Sequence, residues 1–190
     1  SIAAEYKDND TGMHIARMSR YCYIIAKNYG ISEKNARILL SASPMHDIGK
    51  IGIPDNILEK PGKLNLAEWE IMKTHSQIGK DILGNNANEL LKAASVVALE
   101  HHEKWDGSGY PSGLLAEKIH IYARIVAISD VFDALTSKRP YKSAWPIAKA
   151  VELIQNESGK HFDPKVVDAF YLSLDDILKI RARYTKPQGE

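Results

Sequence analysis

Apolar side chains recur at helical spacing along most of this chain, and this periodicity is the strongest restriction on its fold. Met13, Ala16, Tyr21 and Ile25 mark one face of a first helix, which Gly30 is expected to end. No strong hairpin signal and no internal repeat interrupts the helical patterns that follow. The sequence therefore predicts an all-α fold.

The second predicted helix leads to a histidine and an aspartate. Ser32 is expected to open it, and Pro44 to kink or tighten its last turn just before His46 and Asp47. The His-Asp pair is therefore predicted at a helix end.

Three later segments carry further polar candidates. The pair Asn65 and Glu68 is a capping-box pattern, which predicts one helix from there to Gly84. A following helix is expected to end at two adjacent histidines, before a glycine-rich loop over residues 106–113. Residues 119–135 suit a buried strand or a helix by pattern, and their length favours a helix.

Length and composition predict one compact domain over residues 11–185, preceded by the end of a linker at 1–10. A net charge of +1 excludes the uniform positive field that binding to duplex nucleic acid needs. The lone cysteine, Cys22, fits the reducing cytoplasm, which is the expected location. No apolar run approaches the length of a membrane span.

Five of the seven histidines lie on or at the ends of predicted helices in an arrangement that suits a metal site. Two aspartates can join them. Imidazole and carboxylate ligands without thiolate indicate a catalytic site for Mn, Fe, Co, Ni or Zn. The candidates outnumber the ligands of one ion, so a carboxylate bridging two ions is expected. The predicted ligands are His14, His46, Asp47, His75, His101, His102 and Asp130.

These residues lie in motifs that closely resemble the HD-GYP domain, a subclass of the HD-superfamily phosphohydrolases. The resemblance covers nearly the whole chain, in family order. Its main motifs are DTGMH at 10–14, HDIGK at 46–50, MKTH at 72–75, HHEKWDGSGYP at 101–111, DVFDAL at 130–135, RPYK at 139–142 and HFDP at 161–164.

The resemblance implies a bacterial signalling enzyme that hydrolyses cyclic di-GMP to the linear pGpG, and sometimes to GMP. The implied fold is an HD-type helical bundle with a Gly-Tyr-Pro loop and extra C-terminal helices. Two divalent metal ions are implied, with Fe or Mn favoured and Ni, Co or Zn as alternatives. One ion is assigned to His14, His46, Asp47 and Asp130, and the other to Asp47, His75, His101 and His102, so that Asp47 bridges them.

Further roles follow from the same resemblance. Lys50 is expected to act in catalysis beside Asp47, by steadying the leaving oxygen or a phosphate. Tyr110, Arg139 and Lys142 are expected to contact the substrate.

The sequence leaves open whether a third metal ion binds. The family often has glutamate four residues before the first histidine, and here that residue is the shorter Asp10.

Four further residues stand outside the implied ligand sets. His120 and His161 are expected at the surface or behind the ligands. Asp106 and Asp133 suit either of two roles, orienting a ligand imidazole or capping a helix or turn.

Alternatives remain at this stage. One is a module that binds a cyclic dinucleotide or docks a partner with little turnover. Others are an enzyme that prefers cyclic GMP-AMP and a generic HD phosphohydrolase, although the Gly-Tyr-Pro loop argues against the last. Possible partners are an upstream receiver or sensory domain and diguanylate cyclase domains.

Overall fold

The computed structural model describes residues 12–84, 87–138 and 143–184. Within these ranges the chain is helical and forms no strand, which confirms the all-α prediction. The α-helices are α1 (Gly12–Tyr29), α2 (Glu33–Ala42), α3 (Asp55–Leu58), α4 (Leu66–Lys73), α5 (His75–Leu83), α6 (Glu89–Glu100), α7 (Ile121–Thr136), α8 (Ile147–Asn156), α9 (Pro164–Leu172) and α10 (Leu174–Arg183). Short 3-10 helices lie at Ser43–Met45, Ile48–Gly52 and Ala116–Lys118.

The hydrophobic core forms around α1 and α7, which pack against each other. Tyr21 of α1 meets Phe132 of α7 with ring centroids 5.9 Å apart, and Phe132 meets Phe170 of α9 at 5.2 Å. All three rings are fully buried and lie edge to face. This core supports the ends of α1 and α7, where polar candidates of the site lie.

The His-Asp pair lies between two 3-10 helices. Pro44 is part of the first one, Ser43–Met45, and His46 follows it directly. Asp47 then precedes Ile48–Gly52. The predicted helix end is therefore present, in the form of a tightened turn.

The single helix predicted from Asn65 to Gly84 is two helices, α4 and α5, which divide at Thr74. The capping box at its start is confirmed. At Thr74 the backbone N–H bonds to the carbonyl of Ile71, three residues back, at 3.0 Å. The two halves also pack differently, because α4 buries no residue whereas α5 buries His75 and others. The division makes His75 the first residue of α5.

The helix favoured for the ambiguous segment 119–135 is confirmed, because residues 121–136 form α7. Asp163 caps α9, with Pro164 at its first position. Among the helices described, none is both long and apolar enough to cross a membrane.

Candidate metal centre

Two groups of ligand atoms meet around Asp47. In each group the candidate nitrogen and oxygen atoms all lie within 4.8 Å of one another. The first group is Asp47, His75, His101 and His102, and the second is His14, His46 and Asp130.

Asp47 lies between the two groups. Its Oδ1 is 3.3 Å from Nε2 of His75 and 3.5 Å from Nε2 of His101. Its Oδ2 is 3.2 Å from Nε2 of His46, which belongs to the other group. One carboxylate thus faces both groups, as a bridging ligand must.

Backbone carbonyls orient three of the imidazoles. Nδ1 of His46 donates to the carbonyl of Ser43 at 2.9 Å, and Nδ1 of His75 donates to that of Met72 at 2.7 Å. Nδ1 of His101 lies 3.0 Å from the carbonyl of Val97. A carbonyl only accepts, so Nδ1 carries a proton, and in the neutral form of each ring Nε2 presents its lone pair to the centre.

A buried carboxylate orients the fourth imidazole. Oδ2 of Asp133 lies 2.8 Å from Nδ1 of His14, whose Nε2 is 3.4 Å from Oδ1 of Asp130. Of the two roles left open for Asp133, the structure therefore shows the contact with the imidazole of a predicted ligand, His14. Arg17 in turn donates to both oxygens of Asp133, from Nε to Oδ1 at 2.7 Å and from Nη2 to Oδ2 at 2.8 Å.

Burial makes two of the imidazoles good ligands. It lowers the pKa of His75 to about 4 and holds the pKa of His102 well below its usual range. Both rings are therefore neutral near pH 7, which is the form that binds metal.

Asp47 dominates the remaining electrostatics. Burial alone raises the pKa of a carboxyl, but Lys50 and His46 hold the pKa of Asp47 well below its usual range. Burial alone lowers the pKa of an imidazole, but Asp47 raises the pKa of His46 to about 9. The carboxylate is thus ionised, and a metal ion at His46 competes with a proton.

The side chains fit a divalent metal ion. Neither Nε2 of His46 nor Oδ1 of Asp47 has a partner with hydrogen-bond geometry, although both atoms are buried. Buried polar atoms are normally paired, and here the atoms converge with other nitrogen and oxygen donors. Cations of the Mn, Fe, Co, Ni or Zn type satisfy such a set.

Two of the predicted catalytic and substrate residues border the centre. Nζ of Lys50 lies 2.9 Å from Oδ2 of Asp47. The ring of Tyr110 stacks on His102 with centroids 4.7 Å apart and planes 26° apart. The other predicted residues, Asp10, Arg139 and Lys142, lie outside the described residues.

Glu103 holds the loop that carries Tyr110. Its carboxylate is buried and accepts from the backbone N–H groups of Ser112 at 2.7 Å and Leu114 at 2.9 Å. Sequence reasoning missed this role, and it also missed Arg17. Glu103 directly follows the two ligand histidines, which was the one available signal.

His120 and His161 belong to neither ligand group among the described residues. His120 is the N-cap of α7, where its Nδ1 accepts from the N–H of Tyr122 at 3.1 Å. His161 stacks on Phe162 with centroids 4.3 Å apart. Asp106 accepts from Ser108 in the Gly-Tyr-Pro loop, as a turn cap does.

Comparison with known proteins places these residues in a family context. The HD domain family matches residues 2–166. A protein of Vibrio cholerae named 3'3'-cGAMP-specific phosphodiesterase 2 is 45% identical over 95% of this chain. The cyclic di-GMP phosphodiesterase response regulator RpfG of Xanthomonas campestris is 47% identical over 88% of this chain. The chain spans only 34% and 44% of these two relatives.

A solved structure supports the fold. An HDG"Y"P protein from Bdellovibrio bacteriovorus superposes with a TM-score of 0.66 over 90% of this chain and 53% of its own, at 22% identity. The motifs around the candidate metal centre resemble the HD-GYP subclass, and the family match covers most of the chain: this chain belongs to the HD domain family.

Proposed function

We propose that this protein is a metal-dependent phosphodiesterase that hydrolyses cyclic di-GMP to pGpG and, in a second step, to GMP. The observation that carries the proposal is Asp47, whose two oxygens face two separate groups of metal ligands. Relatives named as cyclic di-GMP phosphodiesterases support the substrate.

The ligand set suits two ions, one on the His46 side of Asp47 and the other on its His75 side, so that Asp47 would be a ligand of both. We favour Fe or Mn on the resemblance to HD-GYP domains, with Ni, Co and Zn as alternatives that imidazole and carboxylate ligands also accept. When bound, the two cations supply Lewis acidity and an activated water. Whether a third ion binds would depend on the carboxylate of Asp10.

The chain's own residues supply orientation and charge. Asp47 remains ionised beside Lys50, whose ammonium group can stabilise negative charge on a phosphate or on the leaving oxygen. Tyr110 covers His102 and forms one wall of the site. In the reaction water adds to phosphorus, the bond from phosphorus to the ribose 3′ oxygen breaks, and that oxygen leaves as a hydroxyl, which opens the ring.

Arg139 and Lys142 are proposed substrate contacts. Their side chains offer a bidentate fork and a point charge, both of which suit phosphate. Replacement of either residue is expected to raise KM for the cyclic dinucleotide more than it lowers kcat.

Cyclic GMP-AMP is a second candidate substrate. It is favoured by the relative from Vibrio cholerae that is named as specific for 3'3'-cGAMP and is 45% identical to this chain. The metal centre acts on the phosphodiester bond that both cyclic dinucleotides contain. Selectivity between them therefore requires contacts with the bases.

The relatives are two to three times longer than this chain, which supports a further domain upstream of residues 1–10 in the native protein. We propose a receiver or sensory domain there, and diguanylate cyclase domains as partners of the Gly-Tyr-Pro loop. The proposed setting is the bacterial cytoplasm, in keeping with the unpaired, buried Cys22.

The test is incubation of Mn- or Fe-loaded protein with cyclic di-GMP and, separately, with 3'3'-cGAMP. Products and metal content are measured on the same preparation. An Asp47→Ala variant is expected to lose both bound metal and turnover, whereas Asp168→Ala, at an exposed carboxylate far along the chain, keeps both.

Three outcomes contradict the proposal in different ways. Both substrates left intact by fully metal-loaded protein indicate a binding module. Hydrolysis of 3'3'-cGAMP alone indicates the second candidate substrate. Equal turnover by the wild type and Asp47→Ala excludes the bridging role of Asp47.

A further inference from the structure

We propose that Trp69 is a substrate-binding residue that stacks on a purine base of the cyclic dinucleotide whose phosphate lies at the metal centre. This inference rests on the proposed function and adds a contact outside the metal ligands. It assigns a task to a helix, α4, that contributes no buried side chain to the fold.

An unbroken series of rings leads from the metal centre to Trp69. Tyr110 stacks on the candidate ligand His102 and also lies edge-on to His75, with centroids 6.5 Å apart. Trp69 meets the other side of this series, with its ring centroid 6.0 Å from that of Tyr110 and the planes at 82°. Trp69 is therefore the next aromatic ring outward from the site.

The indole of Trp69 is open to a ligand. Its side chain is 44% exposed, and Leu66, three residues earlier on the same side of α4, is 86% exposed. Large apolar side chains rarely lie together at a surface unless something binds there. Trp69 borders a polar site through Tyr110, so a ligand of that site is the occupant that its position favours.

Polar contacts rather than apolar burial hold α4 in place. Asn65 and Glu68 form its capping box, with hydrogen bonds of 2.9 and 2.8 Å. Lys60 pairs with Glu68 at 2.6 Å. Because these contacts fix the beginning of the helix, Trp69 is held at a defined place without being buried itself.

Charge beside the rings also suits a nucleotide. Nζ of Lys73 lies 5.9 Å from the ring centroid of Tyr110 and pairs with Glu70 at 2.8 Å. An ammonium group there can approach the phosphates or the acceptor atoms on the edge of guanine. The wall thus combines a flat apolar face with a cation, as nucleotide-stacking sites do.

The covalent structure of the substrate matches this placement. Each base of a cyclic dinucleotide is separated from the phosphate by one ribose, so a phosphate at the metal ligands leaves the base further out. Trp69 is separated from His102 by the single ring of Tyr110. Stacking tolerates any purine, so Trp69 is expected to serve cyclic di-GMP and 3'3'-cGAMP alike.

The test compares Trp69→Leu, which keeps apolar bulk, with Trp69→Phe, which keeps a flat ring. Loss of stacking is expected to raise KM for cyclic di-GMP roughly tenfold in Trp69→Leu, and the phenylalanine variant is expected to restore most of it. The effect is expected to be smaller on methyl p-nitrophenyl phosphate, a diester without a base. Ile71→Ala is the matched control, because Ile71 is 41% exposed on the same helix and lies about 200° around the helix axis from Trp69.

Fluorescence supplies a readout independent of turnover. The chain has three tryptophans, and cyclic di-GMP is expected to quench the wild type but to quench Trp69→Phe much less. An equal KM in Trp69→Leu and the wild type, or equal quenching in Trp69→Phe, overturns the stacking proposal. Absence of any hydrolysis by the wild type, with quenching retained, contradicts the proposed function and leaves the stacking contact supported.

A protein partner on the same surface is the competing explanation for the exposed indole. In that case the substitutions change neither KM nor quenching by the nucleotide, and the stacking proposal fails.

Discussion

The buried carboxylate of Glu103 accepts a hydrogen bond from the backbone N–H of Ser112, nine residues further along, at 2.7 Å. Its other oxygen accepts from Leu114 at 2.9 Å. Together the two bonds close the Gly-Tyr-Pro loop onto the residue that follows the ligand pair His101 and His102. The position of Tyr110 over His102 therefore depends on a charged group outside the metal site.

Glu103→Gln is expected to weaken this closure, because an amide has one acceptor oxygen and presents its NH2 group to the second N–H. An unsatisfied buried N–H costs about 1–3 kcal/mol, so the free energy of unfolding is expected to fall by that amount. Denaturant unfolding of the metal-free protein measures it. The exposed Glu117→Gln, in the same part of the chain, is the control. Equal stability of the two variants contradicts the role assigned to Glu103.

Arg17→Lys tests the support of His14. Lysine keeps the positive charge but cannot reproduce the two-nitrogen grip on Asp133. Loss of a residue that orients a ligand typically lowers metal affinity by roughly 10–100-fold, and we expect a decrease in that range. Calorimetric titration with Mn²⁺ measures it.

The control for this prediction is Arg37→Lys. Arg37 makes an exposed ion pair with Glu33 on α2, so its replacement is expected to leave Mn²⁺ affinity unchanged. If Arg17→Lys binds Mn²⁺ as tightly as the wild type, Arg17 serves the packing of α1 and not His14.

Local signals explain why much of the fold could be predicted from the sequence. Caps act on residues three positions away, so Ser32 and the pair Asn65 and Glu68 mark helix starts without knowledge of the fold. The spacing of residues 119–135 left a strand and a helix open, and it was the length of the segment that indicated α7. The division at Thr74 was missed, because it depends on how α5 packs against the segment after Asp47 rather than on its own pattern.

In the site, too, features with a local sequence signal could be predicted, whereas those that depend on packing could not. The ligand histidines could be selected because each lies in a motif and at a predicted helix or its end. Arg17 could not, because its partner Asp133 is 116 residues away and only the packing of α1 on α7 joins them. Glu103 stood in a motif, but its partners depend on the closed path of the loop.

Gly49→Ala tests that packing of α5 directly. A Cβ at position 49 overlaps the carbonyl oxygen of His75 and the backbone nitrogen of Gly79, and neither can move without shifting α5. Overpacking of this kind costs about 1–3 kcal/mol, so the free energy of unfolding is expected to decrease by at least that much. We also expect weaker Mn²⁺ binding, because His75 begins α5.

The control for this prediction is Gly12→Ala at the start of α1, where no atom beyond the adjacent residues and the local helix backbone lies within 4 Å of the added carbon. There the reduced entropy of the unfolded chain is expected to leave stability equal or about 0.4–1 kcal/mol higher. A stability of Gly49→Ala equal to that of Gly12→Ala would falsify the close approach.

Stability is expected to depend on pH through His161, which lies far from the metal ligands in sequence. Burial, with Lys104 nearby, lowers its pKa from 6.5. Between that value and the lower pKa of the folded protein, the unfolded chain binds more protons. The contribution of His161 is therefore fully present above pH 6.5 and is lost as the pH falls below it.

His161→Gln removes this titration, so the variant is expected to lose less stability than the wild type between pH 7.5 and pH 5.5, roughly one unit either side of the ordinary histidine pKa. Denaturant unfolding with a chelator present measures both proteins at both values. The other histidines titrate in both proteins, so the difference between the two decreases reports His161 alone. An equal or larger decrease in His161→Gln shows that the folded protein accepts a proton on this ring without cost, and that its stacking on Phe162 does not exclude the charged form.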